Sequence, residues 1–278
     1  MIYSNALKII AAGLILIMTV SCDNLLDTGG ETEPPIDWED GHGIVEAEDG
    51  HLSGEEIEKW KKSARELAIR TVRAEDSTRT DIPDDLVSMY YNGLIHVVNS
   101  GTEKAREVTE VYGIEARPEF MHGEVLVFPD TVAAASWIGA WRAGETETGR
   151  ESVDELTAKY NLNLSSFSEK SEQPYASAKL TTDDLLNIPA VAVKFEGIEE
   201  ISMSEPNFLA GDGNDISTEI RDTHVNFRYE LKWGDCPAKC INTHYWEFNV
   251  TSEGSVQFLG EGGDDIPDEL PGKDSTEH

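Results

Sequence analysis

Apolar residues recur at helical spacing up to about residue 113, and from Glu124 onward short alternating runs take over, so the chain changes from helices to a mixture of strands and helices. Ile57, Trp60, Ala64, Leu67 and Ala68 share one face of a helix opening at Ser53, where Ser53 and Glu56 have the spacing of a capping box. A second helix starts near "DIPDDL", with Pro83 in its first turn, where a missing N–H costs nothing. Leu86, Tyr90, Leu94 and Val97 or Val98 form its apolar face, and "TEKAREVTEVYGI" predicts a shorter third helix. Together they predict a helical cap over residues 51–122.

"EVLVFP" is a short apolar strand ended by Pro129. "TVAAASWIGAW" follows as an optional helical insert whose Trp137 and Trp141, four apart, share a face. "SVDELTAKY" is a helix with Ser152 and Glu155 at capping-box spacing; "NLNLSSFSE" and "YASAKLTT" alternate as strands. "NIPAVAVKFEGI" is a helix with Pro189 early in it, and "EEISMSEPN" closes the series as a strand. This β, α, β, β, α, β order is the ferredoxin-like plan, in which two helices cover one face of a four-stranded antiparallel sheet. After Asn207, "HVNFRYELKWG", "HYWEFNVTS" and "GSVQFLG" predict two or three antiparallel strands. The expected fold class is α+β: a ferredoxin-like βαββαβ core at 123–208, an N-terminal helical cap, and a C-terminal antiparallel β-hairpin region at 209–260. Residues 23–50, acidic and rich in Gly and Pro, predict a flexible tether, and 261–278 a disordered acidic tail.

The first residues, "MIYSNALKIIAAGLILIMTVSC", carry one early charge, Lys8, and an apolar run from Ile9 to Val20. A dozen apolar residues fall short of the roughly 20 that cross a bilayer, so 1–22 reads as a signal peptide. Its "TVSC" ending resembles a bacterial lipobox, which implies cleavage before Cys22, acylation of that cysteine, and an extracytoplasmic protein anchored to the lipid bilayer of the cell envelope. An ordinary secretory signal with a leftover cysteine is the alternative. Outside the cytoplasm paired thiols persist as bridges, and with Cys22 acylated only Cys236 and Cys240 remain to pair. The competing arrangement is a metal site of Cys236, Cys240 and His244, with His224 as fourth ligand; structural zinc sites use tighter spacings, so the disulfide is favoured and no metal or cofactor is expected.

Charge excludes one class of partner. Lys and Arg number 22 against 54 Asp and Glu, a formal charge of −32 that repels phosphate backbones, so nucleic acid is not a partner. Either a surface suited to high salt or a calcium site accounts for the excess; "GDGND" offers Asp212, Asn214 and Asp215 but lacks the remaining features of an EF-hand loop. His96, within an apolar helical stretch, reads as a structural histidine, while His224 and His244 sit on strands flanking the cysteine loop.

"EVLVF", "VDELTAKYNL", "YASAKLTTDDLLN" and "FEGIEEISMSEPN" together resemble the propeptide domain of subtilisin-type serine proteases over residues 124–207. The whole chain resembles uncharacterised bacterial secreted lipoproteins of the Bacteroidetes type. The resemblance implies a non-enzymatic binding module that inhibits or chaperones a subtilisin-type protease, with Glu205, Pro206 and Asn207 as protease contacts. Only 71 residues follow Asn207, and neither a "GTSMA"-like nor a Gly-x-Ser-x-Gly nucleophile motif occurs, so no catalytic activity is expected. The alternative is a surface structural or adhesion protein that binds protein or carbohydrate through an aromatic patch of Trp233, Tyr245 and Trp246.

Overall fold

Two four-stranded antiparallel sheets, each with its own helices, organise the computed structural model, which describes residues 36–169 and 174–270. Helix α1, Gly54–Glu75, opens as its sequence requires: Ser53 Oγ accepts the Glu56 N–H at 3.2 Å, and the Glu56 carboxylate accepts the Ser53 N–H at 2.8 Å. Helix α2 spans Asp84–Asn99, with Pro83 at the cap position, and buries Leu86, Tyr90, Leu94 and Val97. A short α3, Glu103–Arg106, passes into a π-helical turn over Glu107–Val111.

The first sheet is built from β1 (Phe120–Pro129), β2 (Asn163–Glu169), β3 (Ala176–Thr181) and β4 (Ile201–Phe208) in the order β2-β3-β1-β4, with every neighbouring pair antiparallel. Helices α4 (Ile138–Ala143), α5 (Glu151–Lys159) and α6 (Ile188–Glu196) complete it, α6 lying against β1 and β4. Val125, Val127, Ala178 and Leu180 are fully buried on the inward side of the central strands, with Val191 and Phe195 of α6 in the same core. Trp137 and Trp141 meet edge to face at 5.2 Å, as their spacing predicts, although regular helix begins only at Ile138. The capping box expected at Ser152 is not used. Helix α5 starts earlier, at Glu151, because the Asp154 carboxylate takes the N–H groups of Thr148 and Gly149 and the Thr148 hydroxyl, fixing the preceding turn.

The second sheet is a meander of β5 (Asp215–Ile220), β6 (His224–Trp233), β7 (Asn242–Thr251) and β8 (Val256–Gly263), one strand more than the sequence predicts. Its inner face buries Phe227, Tyr229, Trp246 and Phe248. Helices α1 and α2 pack against this C-terminal sheet. Tyr90 stands edge to face against Phe227 at 6.3 Å, its hydroxyl accepts from Thr218, and Tyr112 packs on Trp246 at 5.5 Å. The N-terminal helices and the C-terminal strands therefore share one core, and residues 120–208 are inserted between them in sequence.

The expected tether and tail also change. Cys22 and residues up to 35 lie outside the described part, but 36–50 are pinned: Ile36, Trp38, Ile44 and Ala47 are buried, and the N–H groups of Ile36 and Val45 reach the carbonyls of Asp222 and Ser252. His96 Nε2 donates to the Val45 carbonyl at 3.0 Å, the structural role its apolar setting suggests. At the other end β8 runs to Gly263, and Ile266 and Leu270 still touch the core. Lys104 of α3 joins its own helical turn to β8 through Glu107 at 2.8 Å and Glu261 at 2.6 Å, and those bonds push its ammonium pKa up to about 12. Among the described residues no helix is long and apolar enough to cross a membrane.

Candidate functional site

In an antiparallel sheet, directly opposed residues point to the same side, and successive residues to opposite sides. Helices cover the inward side of the first sheet. Its other side carries rows set by register: Leu126 beside Glu205 and Lys179, with Ser166 beyond, and Phe128 beside Met203. Glu124 anchors this face, 3.5 Å from Lys179 Nζ and accepting from Asn207 Nδ2 at 2.6 Å. Met203 is 39% exposed, and Phe208, the last residue of β4, is 60% exposed. An apolar strip of Leu126, Phe128 and Met203 thus crosses a face otherwise made of Ser, Thr, Lys, Glu and Asn, with Tyr175 edge to face against Phe128 at 5.8 Å.

The same alternation divides the predicted contact set. Glu205 and Asn207 point to the open side, whereas Pro206 opposes Val125 and is buried. All three belong to β4, so they are not a free extended segment. The stretch after them is tied down as well: the Leu209 N–H donates to Glu119 O, Arg117 Nη2 donates to Ala210 O, and the Asp212 N–H donates to Cys236 O.

Cys236 and Cys240 form a disulfide in the turn between β6 and β7, which removes both from any metal site. His224 and His244 do not approach each other; they pair with Thr251 and Leu231, at opposite ends of the β6–β7 ladder, roughly 20 Å apart. The acidic "GDGND" segment is likewise spent on the fold. Asp212 accepts from the N–H groups of Gly213 and Cys240, Asn214 Oδ1 caps the Lys232 N–H, and Asp215 pairs with Arg70. Burial pushes the Asp212 carboxyl up, but those N–H bonds and the Lys232 ammonium outweigh it and hold it below its ordinary range. No group of three or more metal-ligating side chains occurs among the described residues.

The aromatic patch is not assembled. Tyr245 and Trp246 are adjacent on β7 and so face opposite ways: Trp246 is fully buried against His244 and Tyr112, while Tyr245 lies under the Arg228 guanidinium at 3.5 Å. Trp233 is half-buried against the core.

One pairing has no counterpart in the sequence reading. Glu66 of α1 is 1% exposed; its Oε1 accepts from Arg70 Nε at 2.8 Å, and its Oε2 lies 2.7 Å from His122 Nε2 on β1. Glu66 falls three residues from both Ser63 and Ile69, which are buried on the same helix, and an acid on an apolar stripe is the one sequence signal that marks it. His122 opens on a cleft of about 930 Å³ between α1, α2 and the loop that follows β3. No family model, no curated protein and no solved structure matches the chain.

Proposed function

We propose that the protein is a non-enzymatic binding module of the cell envelope, held to the lipid bilayer by an acylated Cys22, and that residues 120–208 are a ferredoxin-like, propeptide-like unit that restrains a subtilisin-type protease. The observation that carries the reading is the uncovered side of the first sheet, where Leu126, Phe128 and Met203 form an apolar strip within a polar face. The strand order β2-β3-β1-β4, with helices confined to the other side, supports the ferredoxin-like assignment. Contact is made by the sheet face; insertion of Glu205, Pro206 and Asn207 into a protease cleft is set aside, because Pro206 points inward and Asn207 is bonded to Glu124.

The test is titration of the full-length protein against a panel of secreted subtilisin-type proteases, following residual activity and integrity of the protein. Saturable inhibition that Met203→Glu weakens about tenfold or more is expected, since a charge then enters the centre of the contact. Digestion or indifference across the panel overturns the protease reading, as does inhibition insensitive to Met203→Glu. Fatty-acid labelling that survives Cys22→Ala removes the anchor.

A further inference from the structure

We propose that the cleft between α1, α2 and β1 binds a small organic amine, with His122 as the acceptor of its N–H. This site is separate from the open sheet face and does not depend on the protease reading. The starting point is Glu66. A buried carboxylate costs several kcal/mol unless it is paired, and Arg70 provides that pairing on one oxygen. The second oxygen is given to a histidine that is itself 29% exposed on the cleft wall. An ionised carboxylate only accepts hydrogen bonds, so it assigns the N–H of a neutral imidazole to Nε2 and leaves the lone pair on Nδ1. Among the described residues, no side chain or backbone group bonds that nitrogen.

A backbone kink lies directly beside His122. The β1–β4 register slips between Phe120 and Val125, and Gly123 sits within the slip at φ +72. A Cβ there would lie 2.2 Å from the Thr182 carbonyl oxygen, so only glycine fits, and the chain closes to Thr182 through the Gly123 carbonyl. The ring is thus held by a buried acid on α1 and packs edge to face on Phe120 at 6.0 Å, beside a backbone kink that tolerates no side chain.

The cleft's own chemistry selects the ligand. Its volume of about 930 Å³ is of the size that holds small molecules. Five carboxylates line it, Asp49 and Asp183 among them, against two bases. Both bases are engaged: Arg65 bonds Glu58 at 3.2 Å, and Lys61 sits over the Tyr91 ring. Tyr91 donates its hydroxyl to Asp49 at 2.5 Å; burial and that bond push the phenol upward, so it stays a donor. Carboxylates therefore outnumber cations on the cleft wall, and a protonated amine fits where an anion does not.

Calorimetric titration of the full-length protein with cadaverine, at about physiological salt to suppress diffuse attraction to the acidic surface, tests this. One saturable site is expected, with ring resonances of His122 shifting while those of His224 stay fixed. His122→Gln keeps a donor for Glu66 but moves its only acceptor to an amide Oε1 away from the Nδ1 position, and Asp183→Asn removes a wall charge; each is expected to weaken binding about tenfold. If His122→Gln does not fold, the His122 resonance shift in the native protein decides. Absence of saturation, shifts spread over all histidines, or preferential binding of inorganic phosphate overturns the proposal.

Discussion

Gly93 of α2 lies so close to Phe227 of β6 that a Cβ at position 93 would fall 2.4 Å from the ring's Cζ. This contact seats the N-terminal helices on the C-terminal sheet. Gly93→Ala gains helix propensity worth about 1 kcal/mol, but overpacking a filled core costs about 1 to 3 kcal/mol. A net loss of stability is expected, read as a lower urea midpoint. Phe227→Leu in the same chain should relieve part of the clash, so the two changes together cost less than the sum of each alone. A raised midpoint for Gly93→Ala would mean the helix and sheet are not in contact.

Trp246 and Trp233 separate in the same assay. Truncating the fully buried Trp246 to Ala is expected to cost about 3 to 5 kcal/mol, and the half-buried Trp233 clearly less. Equal and negligible losses would return both rings to the surface.

Arg70 joins α1 to Asp215, to the Ile216 carbonyl and to the Arg117 carbonyl as well as to Glu66. Arg70→Met leaves Glu66 as a buried charge without its guanidinium, and a loss of about 3 to 5 kcal/mol is expected. Thermal unfolding checks it, and a change below about 1 kcal/mol would place the network in solvent.

Asp212 gives a pH dependence with a definite sign. Its folded carboxyl sits below the ordinary value of 3.8, so its contribution is present above that value and fades as pH falls through the folded one. Amide exchange at Cys240, whose N–H it accepts, should quicken below about pH 4, and Asp212→Asn should flatten that step. Exchange that is independent of pH after correction for its intrinsic rate would disconnect Asp212 from the loop.

How much of this was legible follows from what periodicity encodes. The apolar faces of α1 and α2, the α6 helix and the strands β1, β3, β6 and β7 all declare themselves by spacing. Strand β5 does not, because on "DISTEI" only Ile216 is fully buried, and one apolar point defines no period. Spacing also says which face of a helix is buried and not what buries it; Tyr90 and Phe227 are far apart in the chain, so the sheet that covers α2 is not legible from its period. Tyr245 and Trp246 look like a cluster in one dimension, and the pleat sends them to opposite sides. The Glu66–His122 pair spans 56 residues and two elements, beyond the reach of any local motif.

The sharing of one core by α1, α2 and the β5–β8 meander sets an order of events during synthesis. The helices emerge first, and the strands that cover Tyr90 and Gly93 emerge last, after the whole of residues 120–208. At roughly 5 to 20 residues per second, the apolar side of α2 waits many seconds for its cover. The first sheet, whose strands are all in hand by Phe208, has no such wait. A ribosome stalled after β4 has emerged and before β7 therefore displays a finished middle and an unfinished beginning.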